Sequence, residues 1–169
     1  MDDADFARVI DRCTFDYVRV FPHPIARVWR AITDEAEVSQ WFWTAAFEPR
    51  LGAPFRFGPD EGGIKGVILA FEPPRLIRFS DPPAGGEGYF EFRLASVAGG
   101  TRVTLVQHGT PSGVRVDWPS PGLLAGWHLN IDNLGVFIDG GVCQGSRARE
   151  DALAEIYRER GLFASQGGM

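Results

Sequence analysis

The chain has 169 residues, of which 44% are hydrophobic, 12% aromatic and 23% charged, a composition typical of one compact globular domain rather than a disordered or fibrous chain. With 17 basic and 22 acidic residues its net charge is -5, which argues against nucleic acid as a partner. The 21 glycines and 12 prolines indicate frequent turns, and therefore favour many short strands over a helical bundle.

Cysteine spacing and hydropathy indicate the cellular compartment. Cys13 and Cys143 form neither a CxxC pair nor a disulfide framework. No apolar run approaches the ~18 residues that a membrane span needs, and no signal-peptide pattern precedes the first motif. We therefore expect a cytoplasmic protein without a membrane span.

The first predicted elements are a short helix and a strand. Phe6, Val9 and Ile10 recur at helical spacing within residues 2–11 and predict the helix. The segment Thr14–Phe21 (TFDYVRVF) is rich in aromatic and β-branched residues and predicts a strand, which ends at the prolines that follow.

Two short helices are predicted after this strand. Pro24 suits the first turn of the first helix. Asp34, with Glu37 three residues later, resembles a capping box and predicts the start of the second. The apolar stripes are Ile25, Val28, Trp29 and Ile32 in the first helix and Val38, Trp41 and Phe42 in the second.

Further strands are predicted as an antiparallel meander, because turn residues separate them and every connection is short. They span residues 54–57, 65–71, 76–79, 89–97 and 101–108, and the Gly99-Gly100 pair predicts a two-residue hairpin between the last two. Alternation gives the sheet one polar and one apolar face. The apolar face carries Phe55, Phe57, Val67, Leu69, Phe71, Ile77, Phe79, Phe90, Phe92, Leu94, Val103 and Leu105.

The longest predicted helix follows a proline-rich loop. This loop, DWPSPG at residues 117–122, contains Trp118 and is either a lid over a cleft or a rigid connector. The helix runs through residues 123–141 and ends at Gly140-Gly141. Its stripe can cover the apolar face of the sheet, and it consists of Leu124, Trp127, Ile131, Leu134 and Ile138.

The tail carries a shorter helical pattern at Leu153, Ile156 and Tyr157, with Gly161 as its stop. Because an exposed apolar stripe is unfavourable in water, we expect this helix to dock on the domain or on a second copy of the chain. Residues 164–169 are predicted to be loosely ordered. The predicted organisation is an N-terminal extension at 1–11, one domain at 12–141 and a C-terminal extension with a short helix at 142–169.

Several short motifs within residues 12–141 occur in the order typical of one family. They are Val28-Trp29, Thr33-Asp34, Trp41-Phe42, the turn EPPRL at 72–76, the strand GTRVTL at 100–105, and Gly126-Trp127 followed by Ile131 and Leu134. By these motifs the chain resembles the START-like (SRPBCC) superfamily and, within it, the AHSA1-like family, named after the activator of the Hsp90 ATPase. The resemblance implies an α+β helix-grip fold. In that fold a curved antiparallel sheet wraps around a long C-terminal helix, and two short helices follow the first strand.

The resemblance also implies a hydrophobic cavity between the sheet and the long helix, although the same aromatic face could be a filled core. We expect Trp127 to point at Phe90, Phe92 and Leu105 across this cleft. The predicted ligand-binding residues are Trp43, Phe57, Val67, Leu69, Phe79, Phe90, Phe92, Val103, Leu105, Gln107, Trp127 and Ile131.

No motif for metal binding, cofactor binding or catalysis is visible. His23, His108 and His128 have no second histidine or cysteine at ligand spacing, so we expect no metal. Neither a GxSxG motif nor a Ser-His-Asp order occurs, so we assign no catalytic residue and expect no cofactor. Where the family has Thr-His-x-Gly, this chain has VQHG at residues 106–109, which shifts the histidine to the other face of its strand.

Three functions are compatible with the sequence. The first is binding of an apolar or amphipathic small molecule, so that a hydrophobic ligand is the expected partner. The second is a co-chaperone-like interaction module of the Hsp90-activator type, acting in the stress response with a chaperone or a second copy of the chain as partner. The third is a cyclase- or dehydratase-like enzyme, for which Gln107, Tyr17 and Asp132 are the polar candidates.

Overall fold

The computed structural model describes residues 3–111, 113, 118–143 and 145–161. Residue 117 of the predicted loop and the predicted loose end at 164–169 lie outside these ranges. The strands are β1 (Arg8–Asp11), β2 (Thr14–Phe21), β3 (Ala45–Phe47), β4 (Pro54–Phe57), β5 (Ile64–Glu72), β6 (Leu76–Ser80), β7 (Tyr89–Val97) and β8 (Gly100–His108). The α-helices are α1 (Ile25–Thr33), α2 (Glu35–Trp41), α3 (Pro121–Ile138) and α4 (Arg147–Arg160), and short 3-10 turns occur at Asp3–Asp5 and Pro82–Ala84.

The strands form one eight-stranded antiparallel sheet in the order β1-β2-β8-β7-β6-β5-β4-β3. The curved sheet, the two short helices after β2 and the long C-terminal α3 confirm the predicted α+β helix-grip fold. The β7–β8 hairpin is also confirmed, but Val97 pairs with Gly100, so its two-residue loop is Ala98-Gly99. Gly100 instead opens β8 at a φ of 150°, where a Cβ would lie 2.0 Å from the carbonyl oxygen of Phe21.

Local polar contacts hold α1 and α2 where the sequence predicts them. The Asp34 carboxylate accepts a hydrogen bond from the backbone N–H of Glu37 at 3.1 Å, which caps the start of α2. The Glu37 side chain in turn pairs with Arg27 at 2.7 Å and with Arg30 at 2.8 Å. The contacts of Asp34 and Glu37 at the start of α2 therefore fix the angle between α1 and α2.

The first predicted helix is wrong, and a strand takes its place. Residues Arg8–Asp11 form β1, which pairs with the edge of β2, and Arg8 contacts Asp16 across this pair at 2.6 Å. Without β1, the outer edge of β2 would leave its backbone hydrogen-bonding groups unpaired. Pairing with this edge stabilises a strand at residues 8–11 more than their weak helical pattern stabilises a helix. The short strand β3 was not predicted, because three residues are too few to show a period.

The predicted orientation of Val67 and Leu69 in β5 is also wrong. These side chains are 42% and 45% exposed on the outer face, whereas Ile68 between them is buried. The inward position before Ile68 is Gly66, where a Cβ would meet the Phe55 ring at 2.9 Å. Because a glycine has no side chain, the hydrophobic pattern did not show that this position faces inward. A register irregularity between residues 68 and 70 then returns Phe71 to a partly buried position against the core.

The C-terminal helix α4 docks on α3 and joins the same core. Tyr157 of α4 is fully buried, and its hydroxyl lies 2.9 Å from His128 Nδ1 and donates to the hydroxyl of Tyr17 at 3.1 Å. The same oxygen accepts the backbone N–H of Ala7 at 3.1 Å. One side chain thus connects α4, α3, β2 and the segment before β1. Of the two docking partners predicted for the tail helix, the structure places it on its own domain.

His128 lies buried inside this network, on the side of α3 that faces α4. Burial lowers the pKa of its imidazole below the ordinary value of 6.5, and the nearby carboxylate of Asp132 opposes part of this effect. The unfolded chain therefore binds a proton at this residue in a pH range where the folded chain does not. Protonation below pH 6.5 consequently favours the unfolded state.

We expect the free energy of unfolding to decrease as the pH falls from 6.5 towards the lowered pKa of His128, and this dependence to be reduced in His128→Gln. Urea unfolding at neutral and mildly acidic pH measures both proteins. His108→Gln, at a half-buried position hydrogen-bonded to Thr14, is the matched control. An identical pH dependence in the parent and in His128→Gln would contradict this assignment.

Candidate functional site

A cavity of about 330 Å³ lies between the sheet and the first half of α3. Phe90 of β7 and Gln107 of β8 form its sheet wall and are paired in the strand register. Trp127 of α3 closes the opposite side, with its ring centroid 5.3 Å from that of Phe90. The other described wall residues are Phe42, Trp43, Ile64, Asp81, Pro83, Ala84, Trp118, Gly122, Leu123, Gly126, Asn130 and Glu150.

Three stacked rings lead from the surface into this cavity. The rings of Trp43 and Phe42 have centroids 5.8 Å apart with planes 12° from parallel, and those of Phe42 and Trp127 are 5.4 Å apart at 8°. Trp43 is 46% exposed and Trp127 is buried, so the stack spans the cavity wall. Because α2 ends at Trp41, Phe42 has non-helical backbone angles, and its ring lies against Trp127 of α3.

A polar chain lies at the inner end of the cavity. The indole N–H of Trp127 donates to Gln107 Oε1, and Gln107 Nε2 donates to Asp81 Oδ2 at 2.5 Å. Because an indole can only donate, the glutamine oxygen must face Trp127 and its amide nitrogen must face Asp81. The carboxylate of Asp81 is therefore the acceptor at which the chain ends.

Asp81 owes its position to the loop that follows β6. Its backbone N–H donates to the carbonyl of Gly88, and its own carbonyl accepts the N–H of Ala84 in the 3-10 turn that begins with Pro82. The residue is only 4% exposed. Burial raises the pKa of its carboxyl above the ordinary value of 3.8, and the hydrogen bond from Gln107 opposes part of that rise.

A second space of about 620 Å³ adjoins the cavity on the side of α4. Both spaces share a common set of wall residues, namely Phe42, Trp43, Gly126, Asn130 and Glu150. The outer space is more polar, since Gln40, Asn133, Arg147 and Asp151 also line it. An amphipathic molecule could therefore extend from the apolar cavity into this groove.

The structure divides the predicted site residues into three groups. Trp43, Phe90, Gln107 and Trp127 line the cavity. Val67 and Leu69 lie on the outer face of the sheet, as described above. The remaining predicted residues are buried in the core behind the wall, and they are Phe57, Phe79, Phe92, Val103, Leu105 and Ile131.

Several wall residues were not predicted. Phe42 follows the apolar spacing of α2, and Asp81 lies in a turn that matches no catalytic or binding motif. Glu150 belongs to α4, outside the predicted domain. The order Ser-Asp-Pro-Pro at residues 80–83 was a usable signal, since it places a carboxylate where a strand of the apolar sheet must end.

The other polar candidates lie away from the cavity. Tyr17 donates to the carbonyl of Leu124 at 2.5 Å on the α4 side of α3, and Asp132 pairs with Arg149 at 2.8 Å. His108 lies 2.9 Å from the Thr14 hydroxyl, on the face of β8 opposite Gln107, as the shifted motif predicts. Trp118 of the predicted proline-rich loop lines the cavity.

Within the described ranges, no group of three or more His, Cys, Asp or Glu side chains is arranged to hold a metal ion. The same ranges contain no helix that is long and apolar enough to cross a membrane.

The family model for AHSA1, described as Activator of Hsp90 ATPase homolog 1-like protein, matches residues 22–139, well over half of the chain. The chain belongs to the AHSA1-like family. Of the residues that line the cavity, Glu150 lies outside the matched segment. The comparison with curated proteins gave no match.

Solved structures of similar proteins agree with this assignment and are of the SRPBCC type. CalU16 from Micromonospora echinospora is 25% identical, with a TM-score of 0.70 over 95% of this chain and 96% of that chain. Protein MLL2253 from Mesorhizobium loti is also 25% identical, with a TM-score of 0.65 over 75% of this chain and 96% of that chain. DynU16, from the dynemicin biosynthetic locus, shares the fold at 24% identity, with a TM-score of 0.66 over 79% of this chain and 49% of that chain.

We expect Trp127→Phe to lower the free energy of unfolding by about 1–3 kcal/mol, because it keeps a ring beside Phe42 but leaves Gln107 Oε1 without its donor. Urea unfolding followed by circular dichroism measures the change. Trp29→Phe is the control, since the Trp29 indole packs on Phe71 and its nitrogen has no hydrogen-bond partner in the described part of the chain. Equal losses in both variants would show that the polar chain contributes nothing.

Proposed function

We propose that this protein binds an apolar or amphipathic small molecule in the cavity between the sheet and α3. The observation that carries the proposal is the cavity itself. Its volume of about 330 Å³ lies within the range of roughly 300–1,000 Å³ typical of small-molecule sites. Its walls are mostly aromatic and aliphatic, with a few convergent polar groups, as such sites commonly are.

The arrangement of the wall supports this proposal further. The stacked rings of Trp43, Phe42 and Trp127 offer flat apolar surfaces that extend from solvent to the interior. The chain from Trp127 through Gln107 to Asp81 holds polar atoms in fixed orientations at one end, which suits selection of one ligand orientation. Membership in the AHSA1-like family, with SRPBCC-type neighbours such as CalU16, is consistent with a ligand cavity at this place.

A cyclase- or dehydratase-like enzyme is the second candidate, and one observation favours it. The buried Asp81 carboxyl, with its raised pKa, lies at the inner end of the cavity and is suited to accept a proton from a bound molecule. The neighbour DynU16 belongs to a biosynthetic locus. Turnover that is lost in Asp81→Asn while binding persists would select this alternative.

The co-chaperone function rests on the family name, and stimulation of an Hsp90-class ATPase would be its test. The cytoplasmic location, the role in the stress response and the boundaries at residues 11 and 141 stay predictions.

Gly126 lines the cavity and leaves room for a side chain at its Cβ position. A Cβ at this position would find only Glu150 Oε1 among the described residues, at 3.7 Å, and the position borders both the cavity and the outer groove. We expect Gly126→Leu to weaken binding of the neutral fluorescent probe N-phenyl-1-naphthylamine by about tenfold or more. Fluorescence titration measures this loss.

Gly126→Ala is the matched control, because both substitutions remove a glycine from a helix interior and gain about 1 kcal/mol of helix propensity. The alanine leaves most of the cavity open, so probe binding should persist. Native mass spectrometry of freshly purified protein provides a second reading through any co-purified mass. A parent protein that binds no probe, or a leucine variant that binds as well as the parent, would contradict the proposed function.

A further inference from the structure

The charged groups that line the cavity are of one sign. Asp81 stands at the inner end and Glu150 at the mouth, and no Arg, Lys or His among the described residues lines the cavity. Glu150 has no ion-pair partner in the described part of the chain, and its Oε1 lies 3.7 Å from where a Cβ of residue 126 would be. Arg147 lines the adjoining outer groove, but inside the cavity an anionic group would meet two carboxylates and no cation from the described residues.

The other two buried carboxylates among the described residues both have arginine partners. Asp16 is held by Arg8 at 2.6 Å, and the fully buried Glu91 is held by Arg78 at 2.6 Å and by Arg93. Burying a carboxylate is costly unless a cation or several hydrogen bonds compensate it. The exposure of Asp81, 4%, lies between those of Asp16 and Glu91, yet Asp81 has no cationic partner among the described residues.

Only one oxygen of Asp81 is engaged. Oδ2 accepts the amide of Gln107, while Oδ1 has no hydrogen-bond partner in the described ranges. Gln107 cannot turn to present its own oxygen, because the indole of Trp127 holds that oxygen. The inner end of the cavity therefore offers an acceptor oxygen at Asp81 Oδ1, whereas the oxygen of Gln107 is already engaged.

Aromatic side chains line the cavity that leads to this carboxylate. Phe42, Trp43, Trp118 and Trp127 all line the cavity, and the faces of such rings attract organic cations. The hydrophobic part of a ligand would pack against the apolar wall residues. A protonated nitrogen on the same ligand would interact favourably with the carboxylates and with the aromatic rings.

We propose that the ligand of this cavity is an apolar amine, whose protonated nitrogen binds the free Oδ1 of Asp81 while its hydrophobic body packs against the stacked aromatic rings. This inference rests on the ligand-binding function proposed above and specifies the chemical class that the same site selects. The cation pairs with Asp81, the buried carboxylate that has no cationic partner among the described residues.

The test compares three probes that share one ring system and differ in charge: 1-naphthylmethylamine, which is protonated at neutral pH, neutral 1-naphthalenemethanol and anionic 1-naphthoate. Isothermal titration calorimetry of the parent protein measures the three dissociation constants. We expect the amine to bind about tenfold tighter than the alcohol, as a charge-assisted hydrogen bond permits, and the naphthoate to bind weakest. Equal binding of amine and alcohol, or preference for naphthoate, overturns the cationic class but leaves ligand binding intact.

Asp81→Asn assigns the preference to one residue, since asparagine can still accept the amide of Gln107. We expect this variant to lose the amine preference and to keep the affinity for the alcohol. Asp60→Asn is the matched control, because Asp60 is an exposed acid whose side chain is 86% accessible and it does not line the cavity. An amine preference that persists in Asp81→Asn overturns the role of this carboxylate. Failure of all three probes to bind the parent overturns both this proposal and the proposed function.

Discussion

The position of Trp127 is the constraint on which the cavity depends. Its indole packs between Phe42 on one side and Phe90 and Phe92 of the sheet on the other, so that it spaces α3 from the sheet. Its N–H also orients Gln107, which in turn contacts Asp81. The same side chain thus supplies apolar surface and sets the direction of the polar chain. Few other residue types combine a large flat surface with a single donor.

The two sides of α3 contribute to different parts of the structure. The side that faces the cavity carries Trp127 and Gly126, whereas the opposite side carries His128 in a closed network with Tyr17 and Tyr157. That network anchors α4, and α4 supplies Glu150 to the mouth of the cavity. The helix beyond the matched family segment therefore belongs both to the core and to the candidate site.

Elements with strong local signals could be predicted from the sequence. The prolines after β2, the cap at Asp34, the glycines of the β7–β8 hairpin and the apolar stripe of α3 each act within a few residues of the chain, so they are visible in a linear pattern. Long-range features were not predictable. β1 exists because β2 offers an edge, and the face of β5 depends on a glycine that packs against Phe55.

The residues of the candidate site also separate into those that local sequence patterns predict and those that depend on long-range contacts. The sequence by itself determined the family, the α+β architecture, and an aromatic sheet face opposite Trp127 of the long helix, with Phe90 and Gln107 among the predicted site residues. Only the tertiary structure decided that Asp81 and Glu150 meet this face, since one comes from a turn and the other from the tail helix. Periodicity reports which side of an element is buried, but it contains no information about which distant elements converge. The charge of the cavity depends on that convergence, and so does the class of ligand proposed for it.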